Sequence, residues 1–208
     1  MNKYLENLNR KQQIKDVTYL EEYAEINDVP IIEYDSLMVI CALINTNKVR
    51  KILEIGTAIA YSSINMALLD KEIIVDTIER NEEMYQLAIK NIKDFGLEEQ
   101  INVHFSDAFE IDMNRLEKEY DLIFIDAAKA QSEKFFNKFE PLLKKDGIIV
   151  TDNLLFHGCV ENSEGQSKNV KNMVKKIDAY NNFLTNHESF KTVFIDTGDG
   201  LAITTRRN

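Results

Sequence analysis

The sequence predicts an α/β protein built on a doubly wound, seven-stranded sheet, mostly parallel with one antiparallel strand. Three observations carry that expectation. The stretch Lys51-Ile52-Leu53-Glu54-Ile55-Gly56-Thr57-Ala58-Ile59-Ala60-Tyr61-Ser62 is a short apolar run that ends in a glycine and passes into a helical pattern, as a strand buried on both faces does when it feeds a helix. From Ile52 onward, apolar runs and helical patterns alternate, the signature of successive βαβ units. Near the end, Thr197-Gly198-Asp199-Gly200 joins two more apolar runs through a tight connection, a hairpin that places an antiparallel strand at the end of the sheet.

Residues 2–47 read as helices. Tyr19, Leu20, Tyr23 and Ala24 recur at helical spacing, and Ile40, Leu43 and Ile44 do so after a break at Pro30. The pattern leaves open whether these helices cover the sheet, form a subunit surface or lid a site. Strands are expected at about 51–55, 73–79, 101–105, 121–125, 147–151, 191–196 and 200–205. Helices are expected between them at about 60–69, 81–94, 108–117 and 130–143, and a long polar one at about 166–186. The 208 residues, 44% of them hydrophobic, suit one domain with a full core: N-terminal helices over 1–47 and an α/β core over 48–208.

The formal net charge of −10 disfavours non-specific binding to nucleic acid while leaving room for a local basic patch. No apolar run is long enough to cross a membrane. The start, Met1-Asn2-Lys3-Tyr4-Leu5-Glu6, lacks the apolar core of a signal peptide, so a cytoplasmic location without a membrane partner is expected. Cys41 and Cys159 lie far apart with no metal-type spacing; Cys41, in an apolar helical pattern, reads as a core residue, and no disulfide is implied.

In open α/β sheets, ligands sit at the carboxyl ends of the strands. The residues there are Glu54 and Gly56, then Glu79, Asp107, Asp126, and Asp152 with Asn153. Any one acid is an ordinary turn or capping residue; their joint placement at one edge points to a site. Free N–H groups at the start of the helix after Gly56, and the close approach a glycine permits, suit a nucleotide-type cofactor. A pyrophosphate demands Gly-x-Gly-x-x-Gly, of which only Gly56 is present, so a cofactor without phosphates, such as S-adenosylmethionine, fits better. Glu54 then lies near its ammonium or sulfonium charge, and Glu79, closing the run 73–78, is placed to accept both ribose hydroxyls. Asp126, Asp152 and Asn153 offer hard oxygens that suit Mg²⁺ or Mn²⁺ better than zinc, although a pair of turn-forming residues fits the same spacing. Lys129 reads either as a solvated lysine or as a proton acceptor, because like-charge repulsion beside a divalent cation makes a lysine easier to deprotonate. His157 reads as a rim residue. His104 and His187 have no partners that suggest chemistry, and no serine or cysteine nucleophile motif appears.

The markers Glu54-Ile55-Gly56-Thr57-Ala58, Tyr61-Ser62, Glu79-Arg80-Asn81, Asp107-Ala108, Asp126-Ala127-Ala128-Lys129, Thr151-Asp152-Asn153 and Gly198-Asp199-Gly200-Leu201-Ala202-Ile203 are specific together. With them the chain resembles, over essentially its whole length, the cation-dependent O-methyltransferases, the group that includes catechol and caffeoyl-CoA methyltransferases. The resemblance implies the Rossmann-like fold of class I methyltransferases, S-adenosyl-L-methionine as cofactor, a Mg²⁺ (or Mn²⁺) ion and a homodimer. It implies that Gly56, Tyr61 and Ser62 surround the methionine part, with Glu54 and Asp126 beside them. Glu79 would hold the ribose, and Asp107 and Ala108 the adenine. Asp126, Asp152 and Asn153 would ligate the metal, and Lys129 would take the substrate proton before a direct displacement. Where the family usually has glycine this chain has Ala60, whose methyl is expected to narrow the turn and bear on cofactor affinity.

Within that family, the stretches Tyr19 to Ala24, Ile78 to Glu82, Phe124 to Lys129, Asp152 to Gly158 and Lys176 to Asn181 resemble the short bacterial enzymes that methylate 5-hydroxyuridine in tRNA. That likeness implies the tRNA anticodon loop as partner and the wobble uridine as substrate, giving 5-methoxyuridine. A small-molecule catechol-type substrate is the alternative, since both classes offer adjacent oxygens to a metal. A cofactor-binding module without catalysis is disfavoured by the intact set Asp126, Lys129, Asp152 and Asn153. Lys168, Lys171 and Lys175 at helical spacing, with Lys176 beside them and Arg206-Arg207 at the end, read as a phosphate-binding patch or as a solvated face and tail.

Overall fold

Three helices precede the sheet: α1 (Lys3–Arg10), α2 (Thr18–Ile26) and α3 (Tyr34–Asn47). The computed structural model describes residues 2–13 and 15–207; Met1, Ile14 and Asn208, which the expected domain includes, lie outside the described residues. After α3 the chain alternates through β1 (Lys51–Ile55), α4 (Tyr61–Ala67), β2 (Ile74–Glu79), α5 (Glu82–Phe95), β3 (Ile101–Phe105), β4 (Tyr120–Ile125), α6 (Ser132–Phe139) and β5 (Leu143–Thr151). It closes with α7 (Lys168–Thr185), β6 (Phe190–Ile195) and β7 (Leu201–Arg206). The seven strands form one sheet in the order β3-β2-β1-β4-β5-β7-β6. Strands β1 to β5 pair parallel, and β7 pairs antiparallel with both β5 and β6. The antiparallel strand thus lies inside the sheet between β5 and β6, rather than at its end as expected.

Period-2 alternation of side chains builds two cores, one on each face. Ile52 of β1, Leu122 and Phe124 of β4, and Ile148 and Val150 of β5 meet apolar side chains of α2, α3, α4 and α5. Their neighbours Leu53, Ile55, Ile123, Ile125 and Ile149 meet Phe135, Phe136, Phe139, Tyr180 and Leu184 of α6 and α7. The N-terminal helices α2 and α3 therefore cover the sheet. Helix α1 buries no residue and is tied down by Arg10, which pairs with Glu21 of α2 at 3.0 Å.

Two expected helices differ. Residues 108–117 form a loop with one 3₁₀ turn at Met113–Arg115. There the Asp107 and Asp112 carboxylates accept from the backbone N–H of Phe109 and Asn114, at 2.8 and 3.0 Å, local bonds that compete with a helix. The helix expected over 130–143 is α6 flanked by 3₁₀ turns at Lys129–Gln131 and Glu140–Leu142, and β5 already begins at Leu143. Leu143 pairs with Tyr120, and an irregularity then shifts the register so that Ile148 faces Leu122. Among the described residues no helix is long and apolar enough to cross a membrane.

Candidate active site

The order of the strands reverses between β1 and β4, the switch point at whose carboxyl ends an open α/β sheet offers a ligand crevice. Gly56 leaves β1 at φ +105°, and a Cβ on it would lie 2.1 Å from the backbone oxygen of Asp126. The following turn also uses left-handed Ala58 and Ala60, at φ +46° and +66°. Ala60 is fully buried within the core cluster of that face, so its methyl packs among core side chains while its backbone holds the left-handed conformation.

Glu79 at the tip of β2 reaches across to this turn. One carboxylate oxygen accepts from Ala58 N at 2.9 Å, and the other from Arg80 N and Asn81 N at 2.9 and 2.7 Å. Asp107 follows at the end of β3, near Arg80 Nη1 at 3.5 Å, with Ala108 buried behind it. Glu54 lies beneath the turn, fully buried. Ser62 and Ser63 donate to its two oxygens, and Thr77 Oγ1 donates at 2.6 Å. Burial pushes its carboxyl up to about 7. Sealed from solvent beneath the turn, Glu54 anchors the first turn of α4 through Ser62 instead of facing the crevice. The Tyr61 hydroxyl likewise points into the N-terminal layer, donating to Glu21 Oε1 at 2.5 Å.

The tips of β1, β4 and β5 are aligned by two ladder bonds beyond the strands. Asp126 N donates to Ile55 O at 3.0 Å, and Asp152 N to Ile125 O at 3.2 Å. The two aspartates therefore stand on adjacent strand ends. Asp126 Oδ1 holds Lys129 Nζ at 2.6 Å. Asp152 is 3% exposed, and its Oδ1 is buried without a hydrogen-bond partner. Burial, and then the charge of Asp126, push its carboxyl up to about 7. Asn153 follows at φ +64°, its Nδ2 3.4 Å from Asp199 Oδ2. Among the described residues no group of three or more His, Cys, Asp or Glu side chains is arranged to hold a metal. The arrangement is two carboxylates and a carboxamide, and a buried, unpartnered carboxylate oxygen beside a second acid is the donor chemistry that accepts a hard divalent cation.

The remaining candidates divide. Tyr180 of α7 meets Thr151 at the tip of β5, their hydroxyls 2.9 Å apart. At about 1.5 Å of rise per residue, Lys168 lies about 18 Å earlier along the helix, beyond the carboxyl edge of the sheet. Lys168, Lys171, Lys175 and Lys176 are all exposed there. Arg206-Arg207 do not join them: β7 runs downward, so they sit at the amino edge, where Arg206 binds Glu140 and Leu143 carbonyls at 2.9 and 3.3 Å. His104 Nε2 donates at 3.2 Å to the buried Asp76 carboxylate, which also accepts from Tyr120 Oη at 2.6 Å. His104 and Asp76 line a concavity of about 1320 Å³ together with Lys51, Asn102 and Arg115, far from the crevice. His157 is exposed at the rim, its Nδ1 3.9 Å from Asp199 Oδ2. Cys41 is a core residue whose thiol burial pushes up to about 12. Asp199 and Glu21 were missed by sequence reasoning. Asp199 entered only in the hairpin connection and the marker Gly198 to Ile203, and Glu21 only in the stretch Tyr19 to Ala24, neither with a role of its own.

Known proteins share this architecture. Residues 4–207 match the model of a family described as O-methyltransferase. A crystal structure from Staphylococcus aureus, provisionally named a caffeoyl-CoA O-methyltransferase, is 45% identical with a TM-score of 0.93, covering 99% of this chain and 98% of that one. A caffeoyl-CoA O-methyltransferase from Populus kitakamiensis is 28% identical over 185 residues, 86% of this chain and 77% of its own. An O-methyltransferase from Bacillus cereus, solved in complex with SAH, has the same fold, with a TM-score of 0.80 at 22% identity over 98% of this chain and 97% of that one. With the family model spanning nearly the whole chain, the protein belongs to the O-methyltransferase family.

Proposed function

We propose that the protein transfers the methyl group of S-adenosylmethionine to a hydroxyl that lies beside a second oxygen, with a divalent cation held by Asp126, Asp152 and Asn153. The observation that carries this reading is the Asp126–Asp152 pair on adjacent strand tips, with Asp152 Oδ1 buried and unpartnered. Removing a carboxylate from water is costly without compensation, and a cation supplies it. When bound, Mg²⁺ or Mn²⁺ acts as a Lewis acid that acidifies the substrate hydroxyl.

The chain's own residues do the rest. Glu79, fixed by three backbone N–H groups, presents a preset carboxylate edge to the ribose. Gly56 and the start of α4, with Ser62 anchored on Glu54, bound the methionine part. Asp107 and Ala108 bound the adenine. Lys129 takes the hydroxyl proton. Its ammonium lies 2.6 Å from Asp126 Oδ1; with a cation on that carboxylate the ammonium would lose its proton to solvent more readily, and the neutral amine would then accept the hydroxyl proton. S-adenosylmethionine is consumed as co-substrate: the O–CH₃ bond forms as the S–CH₃ bond breaks, leaving adenosylhomocysteine.

For the substrate we propose 5-hydroxyuridine at the tRNA wobble position, in an enzyme that works as a homodimer in the cytoplasm. The support is the resemblance of the stretches Tyr19 to Ala24, Ile78 to Glu82, Phe124 to Lys129, Asp152 to Gly158 and Lys176 to Asn181 to the tRNA enzymes, and the four exposed lysines of α7 beyond the site edge. A small-molecule catechol-type substrate is the second reading, supported by the name of the plant relative.

The test of the chemistry is Asp152→Ala, which abolishes turnover while adenosylhomocysteine still binds; unchanged turnover refutes the cation assignment. The test of the substrate is a gene deletion followed by mass spectrometry of tRNA nucleosides, paired with purified protein, labelled cofactor and undermodified tRNA. Loss of 5-methoxyuridine with a rise in 5-hydroxyuridine, restored in vitro, supports tRNA. An unchanged profile together with no labelling of the RNA, and methylation of a catechol instead, selects the second reading.

A further inference from the structure

The tip of the β6–β7 hairpin carries a carboxylate to which the proposed chemistry gives no role. Asp199 is 5% exposed. Its ion-pair contact among the described residues is to His157 Nδ1 at 3.9 Å, on a side chain that is 78% exposed. A buried acid so weakly compensated, with Asp152 close enough to feel its charge, is costly to keep. Its hydrogen bonds among the described residues run to one place, the loop that carries Asn153. Oδ1 accepts from His157 N at 2.5 Å, Oδ2 from Asn153 Nδ2 at 3.4 Å, and the backbone oxygen from Leu155 N at 2.9 Å. That loop needs holding, because Asn153, Phe156, His157 and Gly158 all have positive φ. The hairpin is itself fixed from the other side. Ser36 Oγ donates to Thr197 O at 3.1 Å, and a Cβ on Gly198 would lie 2.3 Å from the same Oγ.

A carboxylate only accepts, whereas a carboxamide has a donating end and an accepting end. Facing Asp199, Asn153 must turn its NH₂ inward and its oxygen outward, and the flipped rotamer sets two oxygens against each other. Resting on the cation reading of the proposed function, we propose that Asp199 is a positioning residue that fixes the carboxamide of Asn153 with its oxygen toward the cation assigned to Asp126, Asp152 and Asn153.

The experiment measures Mn²⁺ binding to the full chain by EPR in the presence of adenosylhomocysteine, with adenosylhomocysteine affinity and thermal melts as fold controls. In the wild-type background, Asp199→Asn weakens Mn²⁺ binding ten- to a hundredfold, the range typical of residues that orient a metal ligand. In the Asn153→Asp background the same substitution has no cost or tightens binding, because the carboxamide introduced at 199 donates to the carboxylate introduced at 153. A loss confined to the carboxamide background is not produced by a merely structural role. Equal losses in both backgrounds, or no loss in either, overturn the inference while leaving the cation reading intact. A wild-type protein that takes up no Mn²⁺ overturns both. Asp199→Asn is isosteric, and the adenosylhomocysteine affinity and melt of each variant show whether its site is folded.

Discussion

Gly56 is held to glycine by two independent constraints, its φ of +105° and the 2.1 Å approach of a Cβ to Asp126 O. Gly56→Ala should cost about 2–4 kcal/mol in urea unfolding, and it should also weaken Mn²⁺ binding, since relief of the clash moves the tip of β4. Ala60 is the opposite case. At φ +66° it carries a left-handed cost of about 1–2 kcal/mol that glycine would remove, against loss of a buried methyl contributing about 0.8 kcal/mol. Ala60→Gly should therefore be neutral or slightly stabilising. It should also leave adenosylhomocysteine affinity unchanged by calorimetry, because the methyl faces the core. Asp152 sets a pH dependence. Its carboxyl is pushed up to about 7, so between about pH 4 and 7 the folded protein keeps a proton that the unfolded chain releases. This contribution to stability is complete below about pH 4 and is lost as pH rises to about 7. A cation competes for the ionised form, so the rise in Tm produced by Mg²⁺ should be larger at pH 8 than at pH 6, and Asp152→Asn should remove the difference. Glu54 is pushed the same way but is sealed beneath the turn, so it tilts the cation-free curve without changing the Mg²⁺ shift.

Arg10 of α1, Glu21 of α2 and Tyr61 of α4 join three elements through one carboxylate, with Arg10 Nη2 at 3.0 Å and the tyrosine hydroxyl at 2.5 Å. Tyr61 is 1% exposed, so Glu21→Ala leaves a buried hydroxyl without its acceptor and should cost about 1–3 kcal/mol in urea unfolding. Adding Tyr61→Phe should recover part of that loss, because the orphaned group is then gone. Nothing in the sequence around Glu21 announces this role, since its partners lie 11 and 40 residues away along the chain. What the sequence does announce is short-range. The strand tips Glu54, Glu79, Asp126 and Asp152 are visible because each closes a run of apolar residues. The helix expected over 108–117 fails because Ala108, Ile111 and Leu116 mimic a helical stripe, while Asp107 and Asp112 spend their side chains on local turns. The early start of β5 is invisible because Lys144-Lys145-Asp146 is polar, and only the pairing of Leu143 with Tyr120 makes it strand. The place of β7 inside the sheet is likewise a matter of pairing with β5, which the hairpin's own residues do not encode.

At the scale of the whole molecule, a net charge of −10 sets the protein against a polyanion. Long-range steering is therefore repulsive, and it is screened with a Debye length of about 8 Å at physiological salt. Lys168, Lys171 and Lys175 lie on the exposed face of α7 toward its start, past the carboxyl edge, while Arg206 is tied to Glu140 at the opposite edge. An anticodon loop laid over the crevice would meet that helix before it met the acid-rich body. If tRNA is the substrate, replacing the three lysines with alanine together should raise KM for tRNA severalfold. It should also flatten the dependence of log affinity on log salt by about 2, near 0.7 for each single-strand phosphate no longer neutralised. Methylation of a free catechol by the same variant should be unchanged, because the reacting groups lie at the strand tips and not on α7. Equal kinetics on tRNA for wild type and variant would show that the lysines of α7 do not bind the RNA. Equal loss on both substrates would mean that α7 acts through the fold instead of through charge. Comparing the two substrates in one variant therefore separates what the surface does from what the site does.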